Sequence, residues 1–207
     1  VSLDAAAIAE SAIDPALLHD PSVECHTVDR GISTGAVVIL AAGGGHNTLN
    51  VGTESADFVP FFYNYGVNTV ILRNRLRRDG YNPLTDAVHD AQQAIRLVRA
   101  HAAALGIDPR KIGIMGFSAG AELSSATAVL YADFDAKHAD VADPLAGVSS
   151  RPDFVGIIYP GPTPFAKNRV APAMRPNSTA SAASSPVPRT VPFRISIDST
   201  KRSGSHA

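Results

Sequence analysis

The sequence predicts an α/β fold with a mostly parallel sheet flanked by helices, and three observations lead to this prediction. Continuous apolar runs are typical of strands that are buried on both faces. Helix-prone segments lie between these runs, and the alternation of strand and helix is the pattern of right-handed crossovers in a parallel sheet. The alternation stops near residue 170, so the carboxyl-terminal part is predicted to be incomplete or irregular.

Four apolar runs are the predicted strands. The first is followed directly by three glycines, Gly43 to Gly45, which places a loop at its carboxyl end. The last is closed by Pro160-Gly161-Pro162, a combination that breaks regular structure. The predicted strands are residues 36–42, 67–73, 111–117 and 154–159.

One helix is predicted in each of the three connections between these strands. Residues 55–65 form the first. The second, residues 84–105, carries apolar residues at three- and four-residue steps and therefore presents one apolar stripe. Gly106 is predicted to end it, because glycine readily adopts the left-handed conformation of a helix C-cap. The third begins with the helix-prone segment Ala121 to Ala126.

The composition changes once along the chain. Residues 1–170 contain the alternating pattern and are predicted to form the α/β core. Residues 171–207 hold eight serines and five prolines, a composition that buries too little apolar surface to offset the entropy of ordering. This segment is predicted to be largely irregular, except that residues 191–197 have the character of one short strand.

Composition also limits the classes of partner. The 207 residues carry a formal net charge of -1 with 45% hydrophobic and 18% charged residues, which indicates neither a nucleic-acid partner nor an acidic membrane surface. A single cysteine, Cys25, excludes an internal disulfide and a thiolate metal cluster. The sequence contains no apolar run of the roughly 20 residues that a membrane span requires. The chain starts at Val1 without a signal-peptide pattern, which is compatible with a removed leader, and cytoplasmic, periplasmic and secreted locations all stay open.

The most informative stretch is a Gly-x-Ser-x-Gly pentapeptide, Gly116 to Gly120, between a predicted strand and a predicted helix. A serine on a sharp strand-to-helix turn presents its hydroxyl above the end of the sheet, and glycines two residues away on either side avoid clashes. Ser118 is therefore the predicted nucleophile of a nucleophile elbow. The alternative is a glycine-rich turn with a solvated serine, which would not require small residues on both sides. As a nucleophile, the serine needs a base, usually a histidine oriented by a carboxylate.

The glycines after the first strand are a second signal. Acyl transfer needs backbone N–H groups where negative charge develops on the carbonyl oxygen, and glycine lets the main chain approach without an intervening side chain. Ala119, directly after the predicted nucleophile, and Gly44 or Gly45 are the predicted donors of an oxyanion hole. A purely structural glycine turn is the alternative. Phosphate binding is a weaker rival, because the glycines are not followed by the Gly-Lys-Ser or Gly-Lys-Thr of a P-loop.

Several further segments carry a family resemblance. They are residues 42–49, 74–81, 90–99, 106–120 and 153–160, together with Glu54 and Asp143-Pro-Leu. From about Val37 to Phe165 the chain resembles bacterial α/β-hydrolase esterases of the acetyl esterase/lipase type, in particular the xylanase-like or xylan acetyl esterase-like group. The resemblance implies hydrolysis of short acyl esters, including acetyl groups on sugars, with neither a metal nor an organic cofactor. Ala42 stands where hormone-sensitive-lipase-like relatives have the histidine of His-Gly-Gly-Gly, and the backbone donors survive that change.

The resemblance ends before the residues that would complete a triad. Family members continue with a strand that carries the acid and a later loop that carries the histidine, and neither pattern is legible here. After Asp153 the remaining carboxylate side chain is Asp198, and after His138 the remaining histidine is His206. The family order of serine, acid and histidine is therefore met by Ser118, Asp198 and His206. Asp198 and His206 are only eight positions apart, which is too short for the strand-helix-strand spacer that separates acid and base in the family. An equally economical interpretation is that a truncation or a shifted reading frame has replaced the family's carboxyl-terminal quarter.

Other polar residues of the matched region receive structural interpretations. His46 adjoins the glycines and is interpreted as a surface-loop residue rather than a pocket residue. Glu54 is interpreted as a residue that steadies the glycine loop. The arginine-rich segment 73–79 is interpreted as a solvated loop with local ion pairs rather than an anion site.

The sequence thus predicts a serine esterase of the carboxylesterase or acetyl esterase type, acting through an acyl-enzyme at Ser118. The predicted partner is a small-molecule ester or an acetylated sugar. A peptidase or a sugar-modifying hydrolase on the same fold is one alternative. The other is a hydrolase-like domain with an incomplete triad and impaired catalysis, which serves as a binding or structural module and whose open sheet edge favours a homodimer.

Overall fold

A computed structural model of the chain describes residues 21–139 and 142–161 and, for residues 193–196, the backbone alone. The strands are β1 (Ser22–His26), β2 (Val37–Ala41), β3 (Asn68–Arg73), β4 (Ile112–Phe117), β5 (Phe154–Ile158) and β6 (Phe193–Ser196). The helices are α1 (Phe58–Asn64), α2 (Val88–Ala100), α3 (Ala102–Leu105) and α4 (Ala119–Lys137). The strands form one six-stranded sheet in the order β5-β4-β2-β3-β1-β6.

The inner strands of this sheet run parallel. β2 pairs with β3 on one side and with β4 on the other, and β4 pairs with β5. Every residue of β2 is buried, as expected for a central strand that is covered on both faces. The predicted α/β fold is confirmed, and each of the four predicted strands begins and ends within one residue of its expected bounds.

β1 is a strand that the sequence analysis did not predict. Val23 and Cys25 lie in the core while Glu24 between them is half-buried, and this period of two is the signal that could have identified it. β1 runs antiparallel to β3. The short strand predicted within residues 191–197 is confirmed for the backbone, because β6 pairs antiparallel with β1. The rest of the predicted irregular segment 171–207 lies outside the described residues.

The connection between β3 and β4 departs from the predicted continuous helix. A π-helical turn, Pro83–Ala87, leads into α2, and the chain bends at His101 (φ -98°, ψ 9°) before α3. The assignment of Leu84 to the apolar stripe is wrong. It is 50% exposed, because a wider π-helical turn changes the angular phase of side chains before α2 begins. Gly106 ends α3 at φ 70°, which confirms the predicted left-handed cap.

The other two predicted helices are present with different bounds. A π-helical turn, Gly52–Ala56, precedes α1 in the first connection. The helix after the pentapeptide, α4, runs for 19 residues and begins directly after Ser118, two residues earlier than predicted. Within the part of the chain that the structure describes, none of the helices combines the length and apolar character needed to cross a membrane.

Two arginines of α2 attach the segment that leads into β5. Arg96 is 1% exposed, and its guanidinium donates to Asp143 at 3.0 Å and to the carbonyl oxygen of Val148 at 3.0 Å. Arg99 donates to Asp153 at 3.1 Å. These bonds satisfy the buried guanidinium of Arg96 and hold the start of β5 against the sheet.

The arginine-rich segment 73–79 is ion-paired, as predicted. The guanidinium nitrogen Nη1 of Arg73 lies 2.8 Å from Oε2 of Glu24, and Nη2 of Arg75 lies 2.7 Å from Oδ1 of Asp90. The second pair is not solvated, however, because the side chains of Arg75 and Asp90 are 12% and 1% exposed. Burial raises the pKa of Asp90, and the hydrogen bond and charge of Arg75 oppose this rise.

Candidate active site

Ser118 occupies the turn between the last residue of β4 and the first residue of α4. Its backbone angles are φ 50° and ψ -115°, a region that residues with a Cβ seldom adopt. Strained angles of this kind persist only where the surrounding structure enforces them, and they cluster at functional sites. The turn is as sharp as a nucleophile elbow requires.

Two glycines make this turn sterically feasible. A Cβ on Gly116 would lie 1.9 Å from the carbonyl oxygen of Gly120, and a Cβ on Gly120 would lie 2.0 Å from the carbonyl oxygen of Ala41. Both distances are far below van der Waals contact. The predicted requirement for glycine at both positions is therefore confirmed, and the start of α4 presses against the ends of β2 and β4.

Backbone hydrogen bonds fix the position of Ser118. Its N–H donates to the carbonyl oxygen of Ile158 at the end of β5, at 3.0 Å. Its own carbonyl oxygen accepts from the N–H groups of Ala121 and Glu122 at 3.0 and 3.1 Å. The residue is half-buried, and its hydroxyl makes no hydrogen bond to another residue within the described ranges. The hydroxyl thus stands at the carboxyl end of the sheet, where ligands bind in open α/β folds.

The backbone N–H of Ala119 belongs to the first turn of α4. N–H groups in the first turn have no acceptor inside the helix, and the helix dipole favours negative charge at this end. α4 is 19 residues long. The predicted oxyanion donor Ala119 is therefore placed where a backbone N–H suits an anion.

The glycine loop follows β2 directly. Gly44 and Gly45 have φ values of 133° and 60°, which glycine adopts without a steric penalty. A Cβ on Gly44 would lie 2.2 Å from the carbonyl oxygen of Thr48, and the Gly44 carbonyl oxygen accepts the N–H groups of Asn47 and Thr48 at 3.1 Å. Among the residues described, the N–H groups of Gly44 and Gly45 have no protein acceptor.

The glycine loop and the elbow are in direct contact. A Cβ on Gly43 would lie 3.0 Å from the Cβ of Ser118. The loop that carries Gly44 and Gly45 therefore lies beside Ser118 and Ala119 at one end of the sheet. A hydroxyl nucleophile next to backbone N–H donors is the arrangement that acyl transfer uses.

Glu54 holds the glycine loop from one side. Its Oε2 accepts the N–H of Gly43 at 2.7 Å, and its Oε1 accepts the hydroxyl of Tyr159 at 2.7 Å. The prediction that Glu54 steadies the glycine loop is confirmed. Because the Gly43 N–H donates to Glu54, it is already bonded within the protein. Tyr159 was seen in the sequence only as the end of a strand. Burial and the hydrogen bond to Glu54 raise the pKa of Tyr159 to about 12, so the phenol stays protonated and donates at neutral pH.

His46 holds the other end of the glycine loop. Its Nε2 lies 2.9 Å from Oε2 of Glu122, and the two side chains are 12% and 15% exposed. The interpretation of His46 as a surface-loop residue is wrong, because its left-handed backbone (φ 62°) accompanies a side chain bonded to the first turn of α4. Glu122 lies four residues after Ser118, and residues at this spacing share one helix face. That spacing is the sequence signal that could have identified it.

Aromatic rings pack beside the elbow. The ring of Phe117, which directly precedes Ser118, lies 4.9 Å from the ring of Phe58 in α1 and 6.0 Å from the ring of Tyr159, measured between centroids. These distances are typical of favourable aromatic pairs. The three rings form an aromatic cluster, with Phe117 buried at its centre, that the sequence analysis did not predict.

The predicted acid and base, Asp198 and His206, lie outside the described residues. Within the described ranges Ser118 has no histidine at hydrogen-bond distance, and His46 is bonded to Glu122. Groups of three or more His, Cys, Asp or Glu side chains that could hold a metal ion are absent from the described part. The described site thus contains the predicted nucleophile and its candidate oxyanion donors.

Known proteins match the sequence over this same region. A family model described as BD-FAE matches residues 29–167. The chain is 28% identical over 127 residues to an acetylxylan esterase of Xylanibacter ruminicola, which covers 61% of this chain and 23% of that protein. It is 35% identical over 100 residues to endo-1,4-beta-xylanase B of Butyrivibrio fibrisolvens, which covers 48% of this chain and 15% of that protein. The matched part is therefore less than a quarter of either relative's length.

Solved structures of esterases share the fold. The acetyl ester-xyloside bifunctional hydrolase from Caldicellulosiruptor lactoaceticus is 29% identical with a TM-score of 0.58, covering 76% of this chain and 54% of that chain. A thermophilic esterase from Thermogutta terrifontis with bound propionate is 26% identical with a TM-score of 0.54, covering 66% of this chain and 48% of that chain. The predicted α/β-hydrolase fold is confirmed, and the matched part is about half of each of these structures.

Proposed function

We propose that this chain, which belongs to the BD-FAE family, hydrolyses carboxylic esters through an acyl-enzyme at Ser118. The observation that carries the proposal is the strained turn at Ser118, with φ 50° between β4 and α4. A residue with a Cβ retains such angles where the surrounding packing enforces them, and function is the usual reason. Two relatives named as esterases, from Xylanibacter ruminicola and Thermogutta terrifontis, support the same class of reaction.

The first half of the proposed reaction transfers the acyl group to the protein. The Oγ of Ser118 attacks the ester carbonyl carbon while a base takes the hydroxyl proton. The carbonyl oxygen becomes an oxyanion, to which the N–H groups of Ala119 and of Gly44 or Gly45 donate. The intermediate then releases the alcohol, which takes the proton from the base, and the acyl group stays on Ser118. In the second half a water molecule, deprotonated by the same base, attacks the acyl carbon. The bond between the acyl carbon and Oγ then breaks, the base returns its proton to Ser118, and the acid is released.

His206 is the proposed base and Asp198 is the acid proposed to orient it. Removal of a base that acts as a unit with its serine lowers kcat by about 10³-fold or more. His206→Ala should therefore abolish most turnover of p-nitrophenyl acetate, whereas His89→Ala should not, because His89 is an exposed residue of α2. An unchanged rate in His206→Ala would show that this histidine is not the base.

Short acyl esters, including acetyl groups on sugars, are the proposed substrates. The names of two relatives, an acetylxylan esterase and an acetyl ester-xyloside hydrolase, support this class. We expect kcat/KM to be higher for p-nitrophenyl acetate than for the decanoate, and acetylated xylo-oligosaccharides to be deacetylated. Cleavage of peptides without ester hydrolysis would instead support a peptidase.

A fluorophosphonate probe tests the assignment of Ser118 directly. The probe should label the folded wild-type protein once, at Ser118, and Ser118→Ala should lose both labelling and ester turnover. Ser125→Ala is the matched control, because the Ser125 hydroxyl bonds only to carbonyl oxygens of its own helix, at 3.0 and 3.1 Å. Retained turnover in Ser118→Ala would overturn the proposal.

A binding or structural module on the same fold is the second candidate. The observation in its favour is β5, an edge strand of the described sheet, where Phe154, Val155, Ile157 and Ile158 are 36% to 46% exposed. Apolar edge strands of this kind are sites of strand pairing with another chain. Folded wild-type protein that the fluorophosphonate probe leaves unlabelled would favour this candidate over the esterase.

A further inference from the structure

We propose that Glu54 is a positioning residue for the oxyanion loop and that Tyr159 holds Glu54 in place. This inference rests on the proposed function, because it concerns the loop whose N–H groups would receive the oxyanion. The chain order hides the relation, since Glu54 and Tyr159 are separated by 105 residues and meet only through the sheet.

Both oxygens of the Glu54 carboxylate are used. Oε2 accepts from the N–H of Gly43 and Oε1 accepts from the hydroxyl of Tyr159, each at 2.7 Å. Hydrogen bonds to an ionised carboxylate are shorter and roughly twice as strong as bonds between neutral groups. Glu54 is half-buried, so water screens its bond to Gly43 less than it would at an exposed site. Tyr159 is 53% exposed, so its bond to Glu54 is the more solvated of the two.

Gly43 transmits the position of Glu54 to the donors. Its N–H is held by Glu54 and its carbonyl oxygen accepts the N–H of Asn50 at 3.0 Å, so each of the two peptide units that meet at Gly43 is held by a hydrogen bond. The next N–H along the chain is that of Gly44. Glycines have more backbone freedom than other residues, so the directions of the Gly44 and Gly45 N–H groups depend on how the loop is held. Asn50 holds the peptide plane that contains the Gly44 N–H, Asn47 and Thr48 hold the Gly44 carbonyl oxygen, and Glu54 holds the preceding plane through the Gly43 N–H.

Tyr159 connects the anchor to the nucleophile. It directly follows Ile158, whose carbonyl oxygen accepts the N–H of Ser118 at 3.0 Å. The ring of Tyr159 also lies 6.0 Å from the ring of Phe117, the residue before Ser118. The same end of β5 therefore supports Ser118 directly and the glycine loop through Glu54. This common support sets the distance between the nucleophile and the oxyanion donors.

Glu54 is proposed to act through the position it gives the glycine loop and not through its negative charge. A carboxylate near a developing oxyanion opposes it electrostatically, so its charge alone does not favour the reaction. The amide of Glu54→Gln keeps an oxygen acceptor for the Gly43 N–H and the size of the side chain. Positioning therefore predicts that Glu54→Gln retains activity and that Glu54→Ala loses it.

Steady-state kinetics with p-nitrophenyl acetate test this inference in four variants of the full chain. Glu54→Ala should lower kcat by about 10- to 100-fold with KM within about threefold of wild type, since misplaced donors act on the transition state. Glu54→Gln should stay within about fivefold of wild type, and Tyr159→Phe should fall between the two. Asp57→Asn is the control, because Asp57 is an exposed carboxylate three residues later.

Two kinetic results would overturn the inference. One is a kcat of folded Glu54→Ala within twofold of wild type, and the other is a loss confined to KM. Thermal unfolding of each variant verifies that the protein is folded. If Glu54→Ala does not fold, Tyr159→Phe decides, because a folded variant with wild-type kcat contradicts the role of Tyr159.

Amide NMR separates this inference from the proposed function. The Gly43 amide proton should be shifted downfield by its bond to the carboxylate in wild type and in Asp57→Asn, and upfield of that value in Glu54→Ala. The amide resonances of Gly44 and Gly45 should move as well, because their orientation depends on Gly43. Wild type that hydrolyses no ester refutes the proposed function, and these shifts then decide the positioning alone. Unchanged Gly43 to Gly45 shifts in Glu54→Ala would overturn it.

Discussion

Three residues with side chains adopt positive φ in the described part of the chain, and all three lie around the candidate site. They are His46 at 62°, Ser118 at 50° and Tyr159 at 37°. Each makes a hydrogen bond within the site: His46 bonds to Glu122, Ser118 bonds to the carbonyl of Ile158, and Tyr159 bonds to Glu54. Strain of about 1–3 kcal/mol for each such residue persists only where neighbouring contacts offset it.

Replacement of Gly120 by alanine tests how tightly the elbow is packed. A Cβ at Gly120 would lie 2.0 Å from the carbonyl oxygen of Ala41, so Gly120→Ala should lower the free energy of unfolding by about 1–3 kcal/mol and slow fluorophosphonate labelling. Gly52→Ala is the control, because a Cβ there has no neighbour within 4 Å. Chemical denaturation measures the first effect. Equal stability of the two variants would contradict the close packing of the elbow.

At the scale of elements, β1 is a core strand although its sequence pattern is weak. β1 lies between β3 and β6 and pairs antiparallel with both. Its Val23 and Cys25 are 0% and 2% exposed, so its inner face is as buried as that of a central strand. The thiol of Cys25 is correspondingly isolated, since burial and the nearby charge of Glu24 raise its pKa to about 12.

The reactivity of Cys25 reports on the attachment of β1. At pH 8 a thiol with a pKa of about 12 is ionised in only about one molecule in 10⁴, and the thiolate is the reactive form. Ellman's reagent should therefore modify the native protein at least about 10³-fold more slowly than the urea-unfolded protein. Absorbance at 412 nm follows the reaction. Rapid modification of the native protein at pH 8 would show that β1 detaches readily or that Cys25 is accessible.

At the scale of the whole molecule, the strand order places the candidate site at the centre of the parallel region. β4, which ends at the elbow, lies between β2, which ends at the glycine loop, and β5, which ends at Tyr159. The carboxyl ends of parallel strands lie at one edge of the sheet. Three segments that are distant in the chain thus lie together at this edge: β4 places the nucleophile, β2 places the candidate donors, and β5 places the residue that supports them.

The same strand order leaves β5 at an edge of the described sheet, and we propose that this edge pairs with a second copy of the chain. An antiparallel β5-to-β5 contact about a twofold axis is self-complementary and would cover the exposed apolar side chains. Ile157→Lys should weaken this dimer, because Ile157 is 46% exposed on the edge strand. Val129→Lys on α4 is the control, at 60% exposed. Sedimentation velocity measures the association, and a wild type that is monomeric at about 100 μM would refute the dimer.

Local sequence patterns predicted most of the central sheet. β2, β3, β4 and β5 were found because strands covered on both faces are continuously apolar, and Ser118 with its two glycines was found because steric demands at a tight turn act over two residues. β1 was missed because its period of two extends over only five residues, which is short for a recognisable pattern. The exposure of Leu84 was missed because the π-helical turn before α2 changes the angular phase of side chains without a distinct residue type.

The sequence by itself determined the strands that are apolar throughout, the elbow at Ser118 and the glycines beside it, because these features depend on residues that are neighbours in the chain. Only the tertiary structure decided that Glu54 meets Tyr159, 105 residues away, and that His46 meets Glu122, 76 residues away. Such pairs depend on the order of strands in the sheet and on which side chains are desolvated together. No local pattern encodes that order, so the supports of the oxyanion loop became visible only in the folded chain.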